Sequence, residues 1–383
     1  MKILLYSSAG FSENVLPLYK ALLNRGEDVT YLFMSSNLSS TIFNVKKTSN
    51  RDGVINISSY PELDFLKEYV DTNSIYVANN AFRLKTPIKS FIAIIKTIVF
   101  VMRGEYDVIL TDNVYMYWNV FMYIFRNKTV LLLHDPFEHT GMEWSRDTRR
   151  RIHRAFRLLN KFVVLNKTQY HDFCKINKIE EKNVLCNKLG ALSPFNLFKQ
   201  KNVKEIKHHI LFFGGIARYK GIEYLCEAMK KVHDVIPDAT VTIAGSKPFY
   251  FDISEYSALP YFDIQNRFVG PEELASMIQE STICVQPYTD ATQSGCVLLS
   301  YTLGKPIITS DLDTMRELVD EGKSGLLVEP RNADKLADAI IKLLSDDALR
   351  LEMKNYIQNE YFTKERSWDY IADKYIEFFK QDA

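Results

Sequence analysis

Apolar residues in this chain recur in two rhythms, compact runs of strand length and stretches in which they return every three or four positions. The run KILLYSS (2–8) is followed by Ala9-Gly10, then by Val15, Leu18, Tyr19 and Leu22 at helical spacing, with Gly26 closing and DVTYLF (28–33) resuming a strand. Further runs at VIL (108–110), TVLLLH (129–134) and KFVVLN (161–166), separated by helix-length segments, predict a parallel sheet covered on both faces.

A second series begins after the polar stretch LFKQKNVKEIKHH, with ILFFGG (210–215), TVTIAG (240–245), STICVQPY (281–288), PIITSD (306–311) and GLLVEP (325–330). Asn332 is a candidate N-cap for a helix that sets Leu336, Ile340 and Leu343 on one face. The pattern predicts an α/β protein of two doubly wound, Rossmann-like domains, 1–195 and 196–365, with the chain crossing over near 190–207. A terminal helix over 366–383 carries Trp368, Ile371, Tyr375 and Phe378 on one face. Ligands of open α/β sheets bind at the carboxyl ends of the strands, so two such halves facing each other predict a site in the cleft between them.

The 383 residues are enough for two cores, and a net charge of +1 gives no global pull toward nucleic acid. Five scattered cysteines lack the close pairing of a zinc or redox motif and suit a reducing compartment. The N-terminus has no small-residue cleavage site and no run is long enough to span a bilayer, so the expected location is cytoplasmic. Two stretches stand out by local charge. IKSFIAIIKTIVFVMRGEYD spaces Lys89, Lys96 and Arg103 by seven along an apolar segment, and WSRDTRRRIHRAFRLLNKF gathers Arg146, Arg149, Arg150, Arg151, Arg154, Arg157 and Lys161 against Asp147. They read as a basic, apolar-edged face for an anionic membrane, or as a helix packed on the sheet beside a solvated arginine face.

Candidate chemistry lies at strand ends. FFGGIARYKGIEYL ends a strand at Gly214-Gly215 and places Arg218 and Lys220 in the following loop, where a guanidinium and an ammonium either suit phosphate oxygens or belong to a solvated loop. DATQSGCVLLSYTLGKP (290–306) carries a polar turn into a helix whose N-terminal amides form an anion site. LLLHDPFEHTGMEW puts His134 directly after a strand, with Asp135, Glu138 and His139 close by. The two histidines lack an established metal-ligand spacing.

In this ordered combination, residues 208–345 resemble the retaining GT-B glycosyltransferases, the nucleotide-sugar family of the glycosyl transferases group 1; Gly304, Pro306, Glu317 and Gly325 continue the match. The resemblance implies that Arg218 and Lys220 bind the donor diphosphate, beside Gly214 and Gly215. It also implies that Ser294, Gly295, Cys296 and Val297 form the turn at the donor phosphate, with the amides of Cys296 and Val297 free. His134 would contact the donor sugar, with Asp135, Glu138 and His139 handling the acceptor hydroxyl; Gly10 is a loose match to the acceptor-side loop. Such enzymes usually carry two glutamates eight positions apart. Registering on Gly295 puts Thr292 and Ser300 there, and registering on Gly304 puts Ala291 and Leu299 there, so neither restores a carboxylate. Thr292, Gln293 and Ser294 are the expected substitutes, since Gln-Ser-Gly resembles a recurring variant of this turn. The implied activity is retaining transfer of a sugar from a nucleoside diphosphate to a glycan hydroxyl. The implied acceptor is lipid-linked, in bacterial surface polysaccharide synthesis, and no metal or other cofactor is needed. The alternatives are an inactive partner subunit that binds nucleotide or glycan, and a nucleotide-sugar epimerase, which needs acid/base carboxylates.

Overall fold

The computed structural model of the protein describes residues 1–34, 53–79, 87–112, 118–138 and 144–382. They divide into two compact units, one holding Met1–Phe137, Trp144–Leu189 and Trp368–Ala383, the other Gly190–Ser367, with which Glu138 is also counted.

In the first unit the strands are β1 (Lys2–Ser8), β2 (Asp28–Met34), β3 (Gly53–Asn56), β4 (Ile75–Asn79), β5 (Val108–Thr111), β6 (Thr129–Leu133), β7 (Lys161–Val164) and β8 (Val184–Cys186). They lie in the order β3-β4-β2-β1-β5-β6-β7-β8, parallel throughout except for β3 against β4. Ile3, Leu4, Leu5 and Tyr6 are all buried, which is why β1 reads as a continuous apolar run. The sheet winds leftward through α1 (Ser12–Asn24) and rightward through α2 (Pro87–Gly104), α3 (Trp118–Phe125) and α4 (Arg146–Leu158). Right-handed crossovers therefore put α2, α3 and α4 on one face and α1 on the other. The terminal helix Trp368–Phe379 packs on α1, where Arg25 grips Asp373 through two bonds of 2.6 and 2.9 Å, and Asn187 Nδ2 donates to Ile371 O at 3.2 Å.

The second unit is a parallel sheet of β9 (His209–Phe213), β10 (Thr240–Ala244), β11 (Phe262–Gln265), β12 (Ile283–Gln286), β13 (Ile307–Ser310) and β14 (Gly325–Val328), ordered β11-β10-β9-β12-β13-β14. Asn332 caps the helix Ala333–Ser345 by accepting from Lys335 N, and Leu336, Ile340 and Leu343 are buried against the helix Ile222–Val235.

The chain pattern missed β3, β4, β8 and β11. β3, β8 and β11 are edge strands with half-exposed positions, so their side chains do not form an unbroken apolar run; β4 lies next to the β3 edge. The reading of α2 as a helix packed on the sheet by its apolar side holds for Ala93, Thr97 and Val101. Its other face leaves Ile88, Phe91, Ile92, Ile95, Val99 and Met102 exposed.

Candidate functional site

Each sheet reverses its winding direction once, between β1 and β5 in the first unit and between β9 and β12 in the second. At such a switch point the loops part and leave a crevice. Most of the candidate residues lie at these two places.

In the second unit, β9 is followed by Gly214, whose φ of +120° favours glycine; a Cβ there would lie 3.2 Å from Cys296 Sγ and 3.7 Å from Lys220 Nζ. One turn of 3₁₀ helix, Arg218–Lys220, leads to Gly221 at φ +64°, where a Cβ would meet Pro287 O at 2.0 Å. That close approach presses the loop onto the end of β12 and drives Lys220 inward. Its ammonium donates to the Tyr288 hydroxyl at 3.0 Å, lies 3.8 Å from Cys296 Sγ and sits 4.5 Å from the centre of the Tyr288 ring. Burial opposes the Lys220 charge, but Cys296, Tyr288 and Tyr219 outweigh it and hold the pKa above the ordinary lysine range. Burial pushes the Tyr288 phenol up in turn, so at neutral pH the pair is an ammonium beside a neutral hydroxyl. Among the described residues no carboxylate pairs with Lys220. A buried cation without a carboxylate partner is able to take an anionic ligand. Arg218 is exposed, with its guanidinium 5.5 Å from the Tyr250 ring centre and no acidic partner among the described residues.

Ser294 caps the helix Gly295–Thr302. Its Oγ accepts from Val297 N at 3.2 Å and meets the Tyr288 hydroxyl at 2.6 Å, so Lys220, Tyr288, Ser294 and the helix start form one hydrogen-bonded chain. This corrects one expectation: the Val297 amide is taken up by the cap, and the amides at the helix start that have no partner among the described residues are those of Gly295 and Cys296. Gln293 is half-buried with its Nε2 enclosed and unpartnered, an orphan donor that a ligand oxygen would satisfy. Of the positions considered for the glutamates, Ser300 is fully buried and donates back to Cys296 O at 2.9 Å, and Leu299 and Ala291 are buried too. Thr292 is half-buried, and Gly215 is exposed, with open space where a Cβ would stand.

In the first unit, Ser8 Oγ accepts from Gly10 N at 3.2 Å, so the amide of Gly10 serves its own turn. His134 follows β6, stacked on Phe11 with ring centres 3.8 Å apart and planes 9° from parallel. Its Nε2 is buried without a hydrogen bond and lies 3.8 Å from Asp112 Oδ2. Asp135 is half-buried, Glu138 is exposed and counted with the other unit, and His139 lies outside the described residues. No group of three His, Cys, Asp or Glu among the described residues could hold a metal ion, and no helix among them is long and apolar enough to cross a membrane.

Sequence reasoning missed Tyr288, Asp112, Ser7 and Phe11. The available signal was positional: Tyr288 and Asp112 each follow a strand that borders a switch point.

Two doubly wound parallel sheets of this kind define the GT-B class of fold. Residues 207–346, which span the whole second sheet, match the family described as "Glycosyl transferases group 1". The chain is similar to an uncharacterized glycosyltransferase of Methanocaldococcus jannaschii, at 26% identity over 232 residues; the match spans 57% of this chain and 59% of that relative. Its fold is that of sucrose-phosphate synthase from Thermosynechococcus elongatus, with a TM-score of 0.68 at 16% identity over 100% of this chain and 99% of the other. It is equally that of HepE from Anabaena, solved with UDP and glucose, with a TM-score of 0.66 at 15% identity over the full length of both chains.

Proposed function

We propose that this protein is a retaining glycosyltransferase that moves a sugar from a nucleoside diphosphate to a hydroxyl of a growing glycan. The observation that carries the reading is the buried Lys220 ammonium, without a carboxylate partner among the described residues and set beside open amides at the start of the Gly295–Thr302 helix. As the bond from the anomeric carbon to the diphosphate breaks, its electron pair leaves on a phosphate oxygen, the acceptor oxygen bonds to the anomeric carbon from the same face, and the acceptor's proton passes to that phosphate oxygen. Lys220, Arg218 and the amides of Gly295 and Cys296 stabilise that charge. Gln293 Nε2 supplies a neutral donor to the sugar or phosphate, and His134 serves the sugar. The reaction then rests on positioning and leaving-group stabilisation and needs no metal.

The acceptor we favour is a lipid-linked glycan of a bacterial surface polysaccharide, reached by a peripheral enzyme. The exposed apolar stripe of α2 supports this, because no acidic residue lies on that helix and the exposed Lys96 and Arg103 flank the stripe. On the same face, α3 exposes Val120, Tyr123 and Ile124, and α4 exposes Arg149, Arg150 and Arg154. The cations also argue against a two-fold dimer through this face, which would set like charges against each other.

The test is incubation with a panel of nucleotide sugars and glycan acceptors, scored for free nucleoside diphosphate together with a new glycosidic product. Transfer by the wild type and its loss in a folded His134→Ala variant are expected. An epimerised donor without transfer, or nucleotide binding without any product, would replace this reading by one of its rivals.

A further inference from the structure

The strand order β1-β5-β6 brings together three side chains far apart in sequence. Ser7 Oγ donates to Asp112 Oδ2 at 2.5 Å, Ser8 N donates to Asp112 Oδ1 at 3.1 Å, and His134 Nε2 faces Asp112 Oδ2 at 3.8 Å. The Asp112 side chain is 1% exposed. Its negative charge is felt nearby: burial first, and then Asp112, push the Tyr31 phenol well above its ordinary value. Among the described residues no lysine or arginine neutralises this carboxylate, and the imidazole is the group turned toward it.

Neutral imidazole carries its proton on one nitrogen and a lone pair on the other. A lone pair on Nε2 would point at a buried carboxylate, whereas an Nε2–H is attracted to it. A flipped ring would set a carbon there and forfeit the attraction, and the Phe11 stack holds the ring plane. At 3.8 Å the contact is an electrostatic one, longer than a hydrogen bond. Nδ1 makes no hydrogen bond among the described residues.

We propose that Asp112 is a positioning residue that fixes His134 in its Nε2–H form and so presents Nδ1 as a hydrogen-bond acceptor to a ligand hydroxyl. Such a site selects a hydroxyl over a carbonyl or carboxylate, which have no proton to give. Only the identity of that hydroxyl, on a sugar, rests on the function proposed above; the tautomer does not.

The informative variant is Asp112→Asn. Its Oδ1 still accepts from Ser8 N, so its amide nitrogen replaces Oδ2 and turns donors toward Ser7 and His134. Ser7 can adapt, because its hydroxyl also lies 3.2 Å from Ser8 O. An amide donor facing Nε2 favours the opposite tautomer, with the proton on Nδ1. The catalytic triad of serine proteases obeys the same logic: an aspartate-to-asparagine change beside its histidine leaves the geometry intact and spoils the tautomer.

The tautomer is read directly from long-range ¹H–¹⁵N spectra of the ¹⁵N-histidine-labelled full chain. Spectra are recorded at about pH 8.5, two units above the ordinary histidine pKa. His134→Gln identifies the signal among the seven histidines. The wild type and Ser7→Ala should show Nε2–H, and Asp112→Asn should shift toward Nδ1–H with kcat falling at least about tenfold. Nδ1–H in the wild type, or an unchanged Nε2–H in a folded Asp112→Asn protein, would overturn the proposal. If Asp112→Asn does not fold, the wild-type and Ser7→Ala spectra decide. A correct tautomer in a protein that transfers no sugar would leave this inference standing and sink the proposed function instead.

Discussion

Lys220→Met separates a cation kept for a ligand from a cation kept for the fold. Methionine preserves most of the volume and removes the charge. Two opposing terms then govern stability: the hydrogen bond to Tyr288 is lost, and so is the cost of holding an ammonium away from water. The Tyr288 hydroxyl keeps Ser294 Oγ as a partner, so no buried polar atom is newly orphaned. We expect unfolding free energy in urea to change by no more than about 1 kcal/mol. Ligand binding has no such compensation, because a charge-assisted contact to phosphate contributes about 1.5–3 kcal/mol. That corresponds to a loss of roughly ten- to 150-fold in nucleoside diphosphate affinity. Calorimetric titration with UDP and GDP, alongside urea melts of both proteins, measures the two quantities separately. A variant destabilised by more than about 3 kcal/mol that still binds the nucleotide normally would show that Lys220 braces the β9 and β12 ends rather than serving a phosphate.

Gln293→Ala should leave stability within about 0.5 kcal/mol, because its Nε2 has no partner to lose, yet lower the transfer rate about tenfold in steady-state assays. Serine at Phe91, Ile95 and Met102 should not destabilise the fold, since all three are exposed. Each change should weaken binding to phosphatidylserine vesicles severalfold, measured by cosedimentation, while transfer to a soluble acceptor stays unchanged. Glu13, in the first turn of α1, is raised by burial from 4.5 to about 7. Below pH 4.5 the carboxyl is protonated in both states. Between 4.5 and 7 only the unfolded chain ionises, so wild-type stability falls as pH rises and then levels off. Glu13→Gln should flatten that fall, by up to roughly 3 kcal/mol, in urea melts run across this window.

What can be read in one dimension is what lies within one short stretch. The runs at β1, β6, β9 and β13 announce themselves because their residues are buried on both faces. Gly214, Lys220 and Ser294 fall within contiguous turns whose chemistry is local. The Val297 amide is misread for an equally local reason: in the sequence Ser294 looks like a ligand group alone, whereas it is also the helix cap, and one oxygen meets both demands.

The partners of these residues cannot be read in the same way. Ser7 and Asp112 are 105 positions apart, and Lys220 and Tyr288 are 68 apart. In each case two strands that are not consecutive in the chain become neighbours, β1 beside β5 and β9 beside β12. The apolar pattern finds the strands and is silent on their order. Winding direction supplies the missing link: once each sheet is known to turn back on its first strand, the residues just past that strand and its new neighbour are the ones that must meet. In the first unit this pairs the SSAG turn with Asp112, and in the second it pairs the GGIARYK loop with Tyr288. The switch point thus accounts for both the residues that the motifs revealed and those they concealed.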